Sequence, residues 1–233
     1  MELFQREIAL IGEKNFQKLA RAHVAVFGIG GVGSYAAEAL VRAGIGSLTF
    51  VDGDTVAPSN CNRQLIALNS TVGQNKAAVM RRRALDIFPD GNFTAIERFF
   101  REDSAQSFDF SRYSYVADCI DDVSAKALLL SCARRAGVPV ISCMGTGNKL
   151  GTEPFLVAPL DKTRECPLAR IMRREMKSRG ITGIKAVYSE EPPRLPDRSA
   201  APSGERFIGS MSFVPGAAGL LLAGEIVRDL IGS

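Results

Sequence analysis

His23-Val24-Ala25-Val26-Phe27-Gly28-Ile29-Gly30-Gly31-Val32-Gly33 is the stretch that decides the fold. Its first part, His23–Phe27, is a short apolar run that ends directly in glycines, the pattern of a buried parallel strand. The G-x-G-x-x-G turn after it lets the backbone bend sharply and approach a phosphate closely. Residues 33–43 then carry helical periodicity, which Gly44 stops. The N-terminus of that helix offers free N–H groups and a partial positive charge to an anion. Residues 48–51 form a second strand that closes on Asp52. Strand, glycine turn, helix and strand in this order open a nucleotide-binding α/β sheet.

Working outward, residues 76–88 read as a helix closed by Pro89, Asp90 and Gly91. Residues 93–96, 115–117 and 138–142 read as further strands, with a helix over 126–136 between the last two. Strands over 155–158 and 186–188, a basic amphipathic helix over 168–177 and a closing helix over 215–230 complete the chain. The closing helix has Pro215 in its first turn, where a missing N–H costs little. These elements predict an α/β fold with a Rossmann-like sheet, largely parallel in the first half and continuing as a mixed sheet in the second. A single domain over 1–233 is expected, with a nucleotide-binding half at 1–150 and an acceptor-binding half at 151–233. Residues 189–206 (SEEPPRLPDRSAAPSGER), dense in proline, serine and charge, read as a flexible loop.

Composition removes several classes. The chain has 233 residues, 46% hydrophobic and 23% charged, as an ordinary globular protein does. No stretch approaches the ~20 apolar residues that span a bilayer, and the start, MELFQREIALIGEK, has no signal-peptide core. A cytoplasmic protein that does not meet a membrane is expected. Five cysteines, an odd number with no C-x-x-C pair, argue against both a disulfide framework and a tetra-cysteine zinc site. The single histidine, His23, leaves no histidine triad or multi-histidine metal site. The net charge of +4 suits a polyanionic partner such as RNA.

The glycine turn alone has NAD as its default ligand, and Asp52, placed to accept hydrogen bonds from ribose hydroxyls, is common to NAD enzymes and adenylating enzymes. The residues beyond Asp52 discriminate between the two. Asn60-Cys61-Asn62-Arg63-Gln64 sets amides and an arginine in a loop after Asp52-Gly53-Asp54. Lys76 starts a helix, and Asp118-Cys119-Ile120-Asp121-Asp122 sets carboxylates at the end of a strand. Hydride transfer gives Arg63 and Lys76 no task. Splitting ATP between its α- and β-phosphates does, because charge grows on phosphate oxygens in the transition state. A carboxylate can hold magnesium against the same oxygens.

GIGGVG, D-G-D, N-x-N-R-Q, G-x-x-K and D-x-x-D in this order resemble the ubiquitin-activating-enzyme-like (ThiF/MoeB/HesA) superfamily. The resemblance implies an ATP site made of Gly28, Gly30, Gly31 and Gly33 at the turn, Asp52 on the ribose, Arg63 and Lys76 on the phosphates with Asn60 as a polar partner beside them, and Asp54 and Gln64 as further binding residues. It implies Asp121 as the magnesium ligand. It also implies that Arg6, in Q-R-E-I-A-L, crosses a homodimer interface to the neighbour's ATP. Arg63, Lys76, Asp121 and Arg6 are thereby the catalytic candidates.

The second half narrows the choice. The cysteine pairs that bind zinc in many molybdopterin and thiamine adenylating enzymes are absent. The segments G-T-G-N-K-L at 145–150, V-A-P-L-D-K-T at 157–163, C-P-L-A-R at 166–170, V-Y-S-E at 187–190 and G-S-M-S-F-V-P at 209–215 resemble the tRNA threonylcarbamoyladenosine dehydratases. That family implies ATP-dependent cyclisation of a tRNA nucleoside through adenylation of its threonyl carboxylate. Adenylation of the C-terminus of a ubiquitin-like sulfur-carrier protein is the alternative, and a sulfur-transfer partner is a further expectation. Cys166 is expected in a loop, where Arg164 could lower its pKa, but an incidental cysteine is the preferred reading. Cys119 and Cys143 are expected in the core, and Asp118 as a structural acid. Arg170, Arg173, Arg174, Lys177, Arg179 and Lys185 are the candidate tRNA-backbone surface.

Overall fold

The structure, a computed structural model, describes residues 2–151, 155–197 and 208–232. Two N-terminal helices, α1 (Gln5–Ile11) and α2 (Glu13–Arg21), precede strand β1 (His23–Phe27). Helix α3 (Gly33–Arg42), strand β2 (Ser47–Val51), helix α4 (Lys76–Ile87) and strand β3 (Asn92–Ile96) come next. Strand β4 (Tyr115–Asp118), helix α5 (Val123–Arg135) and strand β5 (Val140–Cys143) continue the winding. Strand β6 (Phe155–Pro159), helix α6 (Pro167–Ser178), strand β7 (Lys185–Ser189) and helix α7 (Phe213–Ile231) complete it.

The seven strands form one sheet in the order β3-β2-β1-β4-β5-β7-β6. All neighbours run parallel except β6 and β7. The pairing of Ile141 with Lys185 and of Cys143 with Val187 carries the sheet from the first half of the chain into the second. Strand order reverses between β1 and β4, and ligands of such sheets bind beyond the strand C-termini at this point.

Alternation within β1 explains why its sequence is apolar throughout. Val24 and Val26 face one core with α3, α4 and α7, whereas Ala25 and Phe27 face the other with α5 and α6. On that second face Phe27 meets the rings of Phe100 and Phe108 at 5.2 and 5.5 Å. Helix α7 lies on α3 through small residues. A Cβ on Gly219 would come within 2.3 Å of the Val32 carbonyl oxygen, so only glycine permits the approach.

Apart from shifts of one or two residues at element ends, sequence and structure differ in three places. Helices α1 and α2 have no counterpart in the sequence reading. Helix α5 starts at Val123 rather than 126, because the Asp122 side chain caps it by accepting from the Ala125 N–H at 2.8 Å. The loop expected at 189–206 is fixed at its start. Buried Lys149 donates to the carbonyl oxygens of Ser189 and Glu191, at 3.1 and 2.7 Å, and the Glu191 carboxylate accepts from the Leu150 and Gly151 N–H groups. Residues 198–206 of that loop lie outside the described residues.

Candidate active site

A cavity of about 1250 Å³ opens over the C-terminal ends of the central strands, at the reversal of strand order. Gly28, Gly30 and Gly31 line it from the end of β1. Gly28 has φ +86°, and a Cβ there would meet the Cys119 carbonyl oxygen at 2.7 Å. Gly33 is not a lining residue. Its role is closure of the turn, since a Cβ on it would fall 1.7 Å from the Gly28 oxygen.

Asp52 comes directly after β2 and lines the cavity. Its carboxylate accepts from the Ile29 N–H at 2.6 Å and the Asp54 N–H at 2.8 Å, which locks its plane against the glycine turn. Burial pushes its pKa above the usual carboxylate range, and the two N–H groups and Lys76 oppose that rise. Lys76 is buried and its Nζ lies 2.9 Å from Asp54 Oδ2, where both line the cavity. Asn75 holds this pair in place. It caps α4 by accepting from the Ala78 N–H and donates to the carbonyl oxygens of Asp52 and Asp54. The sequence pattern of an amide before a helical lysine could have pointed to it.

Arg63 and Gln64 both line the cavity. Arg63 Nη1 donates to the Ser59 carbonyl oxygen at 3.0 Å and to Asn62 Oδ1 at 2.8 Å. Gln64 is only 7% exposed, and its Oε1 is a buried acceptor with no partner among the described residues. Asn60 is placed differently from the expectation. It is not a lining residue: its Oδ1 accepts from the Ala57 N–H, and its carbonyl accepts from Arg63 and Gln64. Asn60 thus shapes the turn that aims the next residues. Arg6 sits on α1 and does not line the cavity.

Asp121 and Asp122 line the cavity beyond β4, both exposed. Behind them Asp118 is fully buried and Oδ2 lies 2.8 Å from the Lys126 Nζ. The same carboxylate accepts from Ser142 Oγ at 2.6 Å and from the Ile120 N–H at 3.1 Å, and Lys126 also donates to the Cys143 carbonyl oxygen at 2.9 Å. This network ties the ends of β4 and β5 together. Lys126 escaped the sequence reading because a lysine within a helix normally signals a solvated face.

Cys119, Cys143 and Cys166 also line the cavity. Burial pushes the Cys119 thiol well up and the Cys143 thiol up to about 12, so both stay protonated. Cys166 lies in the loop before α6, as expected, at the helix N-cap, and it is buried there: Pro167 begins the helix and Glu165 turns the chain at φ +53°. Two residues of the basic set are committed elsewhere. Arg173 donates to Thr163 Oγ1 and its carbonyl oxygen, and Lys185 is held by Glu225 and Asp229. No helix among the described residues is long and apolar enough to cross a membrane.

A Rossmann-like sheet with a cation-bearing cavity at its switch point defines a nucleotide-site α/β architecture, and comparison with known proteins narrows it further. The chain belongs to the ThiF family, whose model matches residues 4–233. It is 37% identical to a tRNA threonylcarbamoyladenosine dehydratase of Bacillus subtilis, with 98% of this chain and 94% of the relative covered. It is 41% identical to the Escherichia coli protein of the same name over 78% of this chain and 71% of the relative. Crystal structures of the E. coli enzyme with AMP and with ATP superpose with TM-scores of 0.90 and 0.89 at 35% identity, each over 99% of this chain and 95% and 94% of the relative.

Proposed function

We propose that this chain is an ATP-dependent tRNA threonylcarbamoyladenosine dehydratase that activates the nucleoside's threonyl carboxylate by adenylation. The observation that carries the reading is the convergence of the glycine turn, Asp52, Arg63, Gln64, Lys76 and Asp121 on one cavity. Asp52 keeps lone pairs free for ribose hydroxyls beyond the two N–H bonds that orient it. The unpartnered Gln64 Oε1 offers an acceptor for a ligand donor, and leaving it empty costs about 1–3 kcal/mol. Arg63 and Lys76 compensate charge on the phosphates as the α–β bond breaks.

Magnesium fits this donor set. It takes one or two carboxylates and otherwise prefers waters and substrate phosphates, and Asp121 is an exposed carboxylate lining the cavity. Bound there, the ion would neutralise phosphate charge. Asp121 would hold it, while Asp122 is occupied with capping α5.

Chemically, a carboxylate oxygen attacks the α-phosphorus and pyrophosphate leaves. A neighbouring group of the same nucleoside then attacks the activated carbonyl and displaces AMP. One carboxylate oxygen departs with AMP, so the product has lost the elements of water. Ring closure is intramolecular and gains from high effective molarity. It requires no enzyme nucleophile, in keeping with the protonated thiols of Cys119 and Cys143. A sulfur-transfer partner would have only Cys166 to address in the acceptor half.

The whole of 1–233 acts as one catalytic unit in this reading, in the cytoplasm, as a homodimer. The test is mass spectrometry of nucleosides from tRNA incubated with the protein, ATP and magnesium. A nucleoside lighter by one water is expected. Its absence, with adenylation of a sulfur-carrier C-terminus instead, would replace this reading by the alternative.

A further inference from the structure

The cavity exceeds the ~300–1,000 Å³ of a pocket for one small ligand. The glycine turn, Asp52, Arg63 and Lys76 account for one side. The other side is built from residues that this nucleotide set does not use, among them Gly145, Asn148, Lys149, Leu168, Ile171 and Arg179. Asn148 secures that wall. It takes φ +59°, its Oδ1 accepts from the Gly209 N–H, and its carbonyl accepts from the Arg194 N–H, both at 2.7 Å.

Helix α6 forms the outer lip of this second side. Ala169, Met172 and Met176 are buried and fix one face of the helix against the core. Leu168 and Ile171 line the cavity, and Ile171 is 44% exposed at its mouth. Arg170, Arg174 and Lys177 are exposed. At the helical repeat these positions fall within about 60° of one another, in a stripe rising roughly 10 Å along the axis. The same repeat puts the stripe next to the Ile171 side and away from the buried methionines. Neither Arg170, Arg174 nor Lys177 is in a described salt bridge, unlike Arg179, which lies 3.6 Å from Glu175.

Resting on the dehydratase reading, we infer that the Arg170–Arg174–Lys177 stripe is a rail for RNA phosphates flanking the target nucleoside, whose base and threonyl group enter the cavity past Ile171. Charge complementarity and continuity with the cavity select a polyanionic strand as the occupant. Phosphate contacts hold the strand in register while the cavity reads the base.

The test compares two charge-reversed proteins. One carries Arg170→Glu, Arg174→Glu and Lys177→Glu. The control carries Arg21→Glu, Arg112→Glu and Arg135→Glu, which change net charge equally. These three exposed residues precede the starts of β1, β4 and β5, at the opposite end of the strands. Binding of a threonylcarbamoyladenosine-bearing anticodon stem-loop is titrated against salt, with ATP binding measured by calorimetry to show that each protein is folded. The α6 variant should lose at least about tenfold in affinity, and its log–log salt slope should flatten by about 2–3, the release lost with three phosphate contacts. The control should keep the wild-type slope, and both should keep ATP affinity. Equal slopes for the two variants, or an unchanged α6 variant, would overturn the rail. Failure of the wild-type protein to produce the cyclic nucleoside while these slopes still differ would overturn the dehydratase reading and leave the rail.

Discussion

Replacing Lys126 by methionine removes one member of an ion pair in which both side chains are 0% exposed. Methionine keeps the length of the aliphatic stem, so the perturbation is chiefly electrostatic. Asp118 is then left as a buried carboxylate with only Ser142 and the Ile120 N–H to stabilise it, and the Cys143 carbonyl loses its donor. Removing one partner of such a pair costs about 3–5 kcal/mol. At about 2–4 °C per kcal/mol for a chain of this size, the melting temperature should fall by roughly 6–20 °C. Urea unfolding at neutral pH measures the loss directly, with an unchanged m-value showing that the unfolded state is the same. The double variant Lys126→Met with Asp118→Asn removes the orphaned charge while keeping an acceptor for Ser142. It should be more stable than the single variant. A loss below about 1 kcal/mol in the single variant, or no recovery in the double, would refute the idea that the pair braces the ends of β4 and β5.

Gly33→Ala places a Cβ 1.7 Å from the Gly28 oxygen, whereas at Gly30 the nearest atom is 3.9 Å away; by circular dichroism melting the first should unfold or melt far lower and the second should not, and equal melts would contradict the turn's packing role. Lys76→Ala should slow ATP–pyrophosphate exchange by about 10²–10³-fold, the loss typical of a fixed transition-state charge partner; an unchanged rate would remove Lys76 from the phosphate set. The pKa of Asp52 is raised by burial, so between its unfolded and folded values the native state binds more protons and stability falls as pH rises through that window. Asp52→Asn should remove this decline from urea unfolding measured upward from the usual carboxylate range, and parallel curves would show that Asp52 does not titrate as described. Cys166→Ser should keep tRNA dehydration near the wild-type rate in the nucleoside assay, and complete loss with ATP binding intact would give the thiol a chemical role.

The glycine turn made the centre of the fold readable, because G-x-G-x-x-G between an apolar run and a helical period has few other physical solutions. Asp52 and Lys76 were legible because each sits at the end of a strand or the start of a helix that borders the cavity, whereas Arg63 and Gln64, in the long connection between β2 and α4, were picked out by the ordered motif set they belong to. What was illegible depends on contacts distant in sequence. Lys126 reaches Ser142 and Cys143 from another element, and Lys149 is buried against Glu191. Asn60 was readable as polar and close to the site. That its carbonyl and side chain are spent on the local turn is a matter of three-dimensional geometry. Arg173 and Arg174 are adjacent basic residues, yet only the first is turned back onto Thr163.

The seating of α7 on α3 has a consequence for the order in which the molecule is made. The glycine turn and α3 leave the ribosome early, but the cover on their outer side, Gly216 and Gly219 against Tyr35 and Val32, is synthesised last among the described helices. Until then one apolar flank of α3 has no partner, and closing so long a loop carries an entropic cost that local contacts cannot offset. A nascent chain stalled before residue 213 should therefore lack a settled nucleotide turn and offer an exposed surface to chaperones.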